Sequence, residues 1–173
     1  METIDTRDFP GEIDVFESHY QYDATYLREL FRYSPEVYEK FDTFMSLAQH
    51  NEQLDPEVYW LAKITSMHVE DCGQCLQLCV FMATEHGISK ELINSALSGG
   101  SDLPDSLKDI FMYTRCVAGN TDIPEDLEER IHGKLDSPSL IELALCIACA
   151  KVFPALKRTL GYAKSCHLIE IQV

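Results

Sequence analysis

The chain has 173 residues, a length at which one domain can bury most of the surface that its unfolded form exposes. Hydrophobic residues make up 46% and charged residues 25%, which are ordinary globular values and indicate neither a disordered chain nor a fibrous repeat. The 29 acidic against 14 basic side chains give a net charge of −15, which repels phosphate backbones and anionic lipids, so neither nucleic acid nor a membrane is expected as a partner.

The amino-terminal segment has no basic start and no apolar run of signal-peptide length, and nowhere do roughly 18 apolar residues follow one another without interruption. We therefore expect a cytoplasmic protein. Residues 1–22 also lack the apolar periodicity of a core helix. We expect an arm over 1–22, packed on the surface or on a neighbouring subunit, and one helical domain over 23–173.

From residue 23 onward, helix start and stop signals recur, whereas the alternating β-branched runs typical of strands are absent. This pattern predicts an all-α fold, a single-domain bundle of about seven or eight helices. Ser34-Pro35 and Asp55-Pro56 each place a capping side chain before a proline at the first helical position. One helix should therefore begin at Pro35, and the next should begin at Pro56 and end near 67–69.

Asp71 predicts the N-cap of the following helix, because Gln74 three residues later completes a capping-box pattern. Gly87 closes this helix, since glycine tolerates the left-handed conformation common after a helix end. Cys72 would then occupy the first helical position and Cys75 the fourth.

Further helices are expected over 89–96, from Pro104, from Pro124 and from Ser137. The last one contains Pro154, which lacks a backbone donor and should kink it. Its apolar residues surround most of the helix, so we expect this element at the centre of the fold.

The cysteine pair in "DCGQCLQLC" is the feature with most chemical meaning. Cys72 and Cys75 share a helix face with Cα atoms about 5 to 6 Å apart, which a disulfide can bridge. Backbone N–H groups and the dipole at a helix start favour a thiolate, although the carboxylates of Glu70 and Asp71 oppose it. The spacing therefore predicts a redox site.

Zinc bound by His68, Cys72, Cys75 and Cys79 is the alternative reading of the same stretch. Structural zinc sites normally join two separated ligand pairs, and four ligands around one helix start close poorly as a tetrahedron. Redox chemistry is favoured, and neither a metal nor a cofactor is expected.

The remaining thiols are better explained by packing. The chain has seven cysteines, and in a reducing compartment such thiols are seldom structural disulfides. Four of the other cysteines lie among apolar residues and are expected in the core, namely Cys79, Cys116, Cys146 and Cys149. The sequence assigns no role to Cys166.

His68 is the candidate for proton transfer, because an imidazole changes its charge near neutral pH and this one shortly precedes the cysteine pair. A solvated histidine in a turn fits the sequence equally well. Glu70 and Glu57 are the carboxylates nearest in sequence, and Glu70 completes a candidate catalytic set with Cys75, Cys72 and His68.

The stretch "DCGQCLQLCVFMATEHGISKELINSAL", preceded by a helix, resembles the core of the carboxymuconolactone decarboxylase superfamily, in particular its alkyl hydroperoxidase D-like branch. The resemblance is best over residues 55–97, and "CIACAKVFPALKRTLGYAKSC" is similar to the end of a little-characterised subgroup. It implies a helical homo-oligomer, a trimer or a multiple of it. The decarboxylase branch fits less well, because no clustered Arg and His are present to bind its anionic substrate.

In that branch the resemblance assigns the attacking, peroxidatic role to Cys75 and the disulfide-forming role to Cys72, with electrons from a lipoylated or other dithiol donor. Two relay positions depart from the pattern, since Trp60 stands in place of a glutamate and Cys79 in place of a histidine. We therefore expect a thiol-based oxidoreductase that reduces peroxides or exchanges disulfides with reduced activity. The alternative is a non-catalytic helical oligomer that acts as a binding or redox-sensing protein.

Overall fold

The computed structural model describes residues 7–162 and 171–173, and every regular element in these two ranges is an α-helix, which confirms the all-α class. The described helices are α1 Phe9–Tyr20, α2 Thr25–Tyr33, α3 Pro35–Ala48, α4 Pro56–Val69, α5 Gly73–Glu85, α6 Lys90–Leu97, α7 Asp105–Gly119, α8 Glu125–Lys134, α9 Ser137–Ala150 and α10 Val152–Thr159.

The chain divides into two compact units, residues 1–45 and 46–173. In the first unit, α1 forms within the segment expected to lack a core helix. Its N-cap is Asp8, whose side chain accepts a hydrogen bond from the Gly11 N–H. The rings of Phe9, Phe31 and Tyr38 pack against one another with centroids 5.2 to 5.9 Å apart. The role of residues 1–22 as an arm on a neighbouring subunit stays a prediction.

The second unit is built around α4, in which all ten residues from Val58 to Met67 are buried. This helix packs against α5, α6, α7 and α9. The expectation that α9 is the central element was therefore wrong. The apolar pattern is misleading because α4 carries Lys63, Thr65 and Ser66, three polar residues that are nonetheless buried.

The long carboxy-terminal helix expected from Ser137 is two helices, α9 and α10, separated at Lys151. Pro154 lies in the first turn of α10, where a missing N–H costs no helical hydrogen bond. The stretch Ser137–Thr159 is long and apolar enough to cross a membrane. Buried core helices meet the same criterion, so this is a weak indication of a membrane span.

Glu142 on α9 fixes the loop that leads into α4. Its carboxylate accepts hydrogen bonds from the backbone N–H groups of Glu52, Gln53 and Leu54 at 2.8 to 3.0 Å. The Nε2 atom of His50 lies 3.2 Å from the same carboxylate. Because Glu142 is only 4% exposed, these contacts are what allow its charge to be buried.

Candidate functional site

The connection between α4 and α5 is only three residues long, Glu70 to Cys72. Asp71 adopts φ of 52°, in the left-handed region, and its N–H donates to the carbonyl of His68 at 3.2 Å. Asp71 is therefore the residue that turns the chain, and the prediction that it caps α5 was wrong. The capping position belongs to Cys72.

Cys72 and Cys75 are joined as a disulfide across the first turn of α5, with Cα atoms 5.3 Å apart. Cys75 is the third residue of the helix, one position earlier than expected. Both residues are buried, with 1% and 2% of their surface exposed. The predicted Cys-x-x-Cys pair is thus confirmed as a pair at disulfide distance, at the end of the helix whose dipole favours a thiolate.

Arg158 of α10 holds the turn that precedes the pair. Its guanidinium donates to the carbonyl oxygens of Glu70 and Asp71. It also lies 3.6 Å from Oε2 of Glu70, whose side chain is 17% exposed. Glu70, proposed from the sequence as a catalytic carboxylate, is therefore partnered by a cation in this structure.

Lys157, the preceding residue of α10, contacts α5 itself. It is fully buried, and its Nζ donates to Oε1 of Gln74 at 2.7 Å. Gln74 lies between the two cysteines in the first turn of α5. Sequence reasoning missed both cations, although "LKR" in an otherwise apolar helix was a signal that they face something polar.

His68 lies in the last turn of α4 with an exposed side chain. Across residues 7–162 and 171–173, its imidazole takes part in no hydrogen bond or ion pair. Glu57 is exposed in the first turn of α4. The rise of 1.5 Å per residue places it roughly 18 Å along the axis from the end of that helix. His68 is therefore at the end of α4 that leads into the cysteine turn, whereas Glu57 is at the opposite end.

Trp60 and Cys79, which the sequence places where a resembling family has a glutamate and a histidine, occupy buried positions. Trp60 is 5% exposed, and its ring packs on those of Tyr59 and His86 at 5.3 and 5.0 Å. Cys79 lies one turn beyond Cys75, is 4% exposed and carries a free thiol. Burial raises the pKa of this thiol to about 11, in spite of Lys63 nearby. Neither position therefore offers a proton-transfer group near neutral pH.

Lys63 is a second buried cation, close to the core thiols. Its Nζ donates to the carbonyl of Ala48 and to the hydroxyl of Tyr59, the latter at 3.0 Å. The Cys146 thiol donates to the carbonyl of Tyr59 at 3.7 Å, and burial raises its pKa to about 12. Cys149 is also buried, so both expectations of core thiols in α9 are met.

Cys116 has a free thiol and is half-buried. It is therefore more exposed than the core location that the sequence predicts for it. Cys166 lies outside the described residues. In the described part of the chain, no group of three or more His, Cys, Asp or Glu is arranged to hold a metal ion.

Comparison with known proteins identifies no relative: no protein-family model, no curated protein and no solved structure matches the chain.

Proposed function

We propose that the protein is a thiol-based oxidoreductase of the alkyl hydroperoxidase D-like type, which reduces peroxides or exchanges disulfides through Cys72 and Cys75. The observation that carries the proposal is the bridge between these residues across the first turn of α5. Adjacent dithiols at a helix start are typical of redox-active pairs. The resemblance of residues 55–97 to that branch of the carboxymuconolactone decarboxylase superfamily supports the same function.

The reaction follows from the chemistry of the pair. The Cys75 thiolate attacks one peroxide oxygen, breaking the O–O bond to give a Cys75 sulfenic acid and an alcohol or water. The Cys72 thiol then attacks the sulfenic sulfur, releasing water and forming the disulfide. An external dithiol, such as a lipoylated protein, reduces this disulfide by exchange and is itself oxidised to a disulfide.

His68 and Glu70 are the proposed proton-transfer residues. The exposed imidazole of His68 can exchange protons with solvent, as a general base requires. Glu70 belongs to the turn between α4 and α5, but its carboxylate forms an ion pair with Arg158. Its effect on the thiols therefore depends on that ion pair, and His68 is the stronger candidate of the two.

Burial of both cysteines favours a second candidate function, a redox-sensing or binding oligomer without turnover. A cysteine residue that is only 1% or 2% exposed reacts slowly with a peroxide unless the turn opens. The aromatic packing of Trp60 and the neutral thiol of Cys79 at the relay positions point in the same direction. In this alternative the disulfide reports the redox state of the cell to a partner.

A stoichiometric oxidation experiment tests the proposed chemistry. The reduced protein is treated with one equivalent of a hydroperoxide, and intact mass and peptide mapping follow the thiols. We expect the loss of two hydrogens, mapped to Cys72 and Cys75 and absent from Cys75→Ser. The matched control is Cys79→Ser, one turn further along α5, which should oxidise as the native protein does. Resistance of the reduced pair to oxidation would exclude the proposal.

Assembly and location belong to the same proposal. By the family resemblance we propose a cytoplasmic homo-oligomer, a trimer or a multiple of it. Light scattering coupled to size exclusion measures the oligomer directly, and a monomeric mass across a range of concentrations would contradict this part.

A further inference from the structure

We propose that Lys157 and Arg158 are positioning residues for the cysteine pair: Lys157 supplies the positive charge that stabilises the thiolate of the reduced pair, and Arg158 offsets the opposing charge of Glu70. The inference rests on the proposed redox function of Cys72 and Cys75. It adds two residues that neither the sequence pattern nor the family resemblance assigns.

α10 contacts the segment around the cysteine pair through two cationic side chains. Lys157 and Arg158 are neighbours in the chain, and both reach the five-residue segment Glu70 to Gln74. Successive helix residues point about 100° apart, so the two side chains approach this segment from different directions. The two cations therefore contact the segment at its two ends, Lys157 at Gln74 and Arg158 at Glu70.

Lys157 is buried beside the first turn of α5. Its ammonium is fully enclosed and lies 2.7 Å from the Gln74 amide in the first turn of α5. The dipole is positive at this end of a helix, so the charge of Lys157 adds to a potential that favours anions. A thiolate of the reduced pair is an anion in the same turn, and Lys157 and the helix dipole both stabilise it.

Arg158 forms an ion pair with Glu70, the acidic residue two positions before Cys72. A carboxylate beside a thiol raises the pKa of the thiol, since two negative charges in one site repel. Nη1 of Arg158 lies 3.6 Å from Oε2 of Glu70 and counters that charge. The Arg158 side chain is 45% exposed, so its effect should be smaller than that of Lys157 and should weaken with salt.

The pH dependence of thiol alkylation tests the role of Lys157. Rates at Cys72 and Cys75 of the fully reduced protein are measured with iodoacetamide by peptide mass spectrometry, and no peroxide or donor is needed. We expect Lys157→Met to raise the midpoint of the rate profile by about one pH unit, and Lys157→Arg to restore it. Lys151→Met, which removes a cation that contacts Asn120 instead, is the matched control and should leave the midpoint unchanged.

A second variant covers the case in which Lys157→Met fails to fold. Lys157→Gln keeps a donor for Gln74 and removes only the charge, and circular dichroism checks that it remains helical. An unchanged midpoint in this folded variant would overturn the role of Lys157. A shifted midpoint without any peroxide reduction would leave the inference standing and reject the proposed function, so the two failures are distinguishable.

A double-mutant comparison tests Arg158. We expect Arg158→Gln to raise the alkylation midpoint by a few tenths of a unit, and Glu70→Gln to lower it. In the double variant Glu70→Gln/Arg158→Gln, the effect of Arg158 should disappear. The same upward shift with and without Glu70 would show that Arg158 does not act through that carboxylate.

Discussion

The Nζ atom of Lys157 donates to the side-chain oxygen of Gln74 at 2.7 Å, which ties α10 to the first turn of α5. Arg158 adds contacts to the preceding turn, so α10, a helix distant in the chain, contacts both the first turn of α5 and the turn before it. Substitutions in α10 should therefore change the behaviour of thiols in α5.

His68 should accelerate the reaction of the reduced pair near neutral pH. Replacing it with alanine removes the imidazole from the end of α4, and we expect the alkylation rate of Cys72 and Cys75 at pH 7 to fall about tenfold or more if it is the general base. His86→Ala is the control, because His86 is also exposed but lies at the far end of α5. An unchanged rate in His68→Ala would remove His68 from the mechanism.

The core thiols Cys79 and Cys146 should resist alkylation in the folded protein. Burial raises their pKa values to about 11 and about 12, so both remain protonated at pH 8. We expect labelling of these residues only after unfolding in guanidinium, measured by peptide mass spectrometry. Rapid labelling of Cys79 in the native protein would show that the core opens around it.

The same thiols should make stability fall at high pH. Their pKa values in the folded chain lie above the ordinary value of 9.0, so the unfolded chain loses these protons first as the pH rises. Their contribution is complete below about pH 9 and is lost as the pH rises through about 11 for Cys79 and about 12 for Cys146. Urea unfolding of the reduced protein between pH 8 and pH 10 measures this, and Cys79→Ala should show a smaller decline.

Glu142→Gln should destabilise the second unit by about 2 kcal/mol, because a neutral amide cannot satisfy three backbone donors as a carboxylate does. Urea unfolding at pH 7 measures the loss. Ile141→Ala is the control, since Ile141 is the neighbouring residue of α9 and is 61% exposed. Equal stability of the two variants would contradict the anchoring role of Glu142.

Glu142 also predicts a loss of stability in acid. Burial alone would raise the pKa of its carboxyl, but the hydrogen bonds from Gln53, Glu52 and Leu54, together with His50, outweigh burial and lower the pKa below 4.5. The stabilisation is therefore present above about pH 4.5 and is lost as the pH falls through the lower pKa of the folded chain. The difference in stability between the native protein and Glu142→Gln should shrink over that range.

The helix starts could be predicted because capping chemistry is local. Asp55 caps α4, Ser89 caps α6, and Gly87 takes the positive φ expected after α5. The turn at Asp71 could not be predicted, because the same side chain suits both a cap and a left-handed turn. Arg158 binds the carbonyls of this turn from a distant helix, a contact that the local sequence does not indicate.

The cysteine pair could likewise be predicted from its spacing, whereas its cations could not. Lys157 and Arg158 lie more than eighty residues from their partners in the chain, at separations of 83 and 88. The stretch "LKR" indicates a polar environment for these side chains, but no local pattern identifies the residues that they contact. The central position of α4 was missed for a related reason, because Lys63 finds acceptors at Ala48 and Tyr59 that only the tertiary structure brings together.

Peroxide consumption coupled to a lipoyl donor tests the central claim most directly. The reduced protein is mixed with a hydroperoxide and excess dihydrolipoamide, and peroxide loss is compared among the native protein, Cys72→Ser and Cys75→Ser. The proposal predicts many turnovers for the native protein and loss of turnover in both variants. Consumption by the native protein no faster than by Cys75→Ser would contradict it.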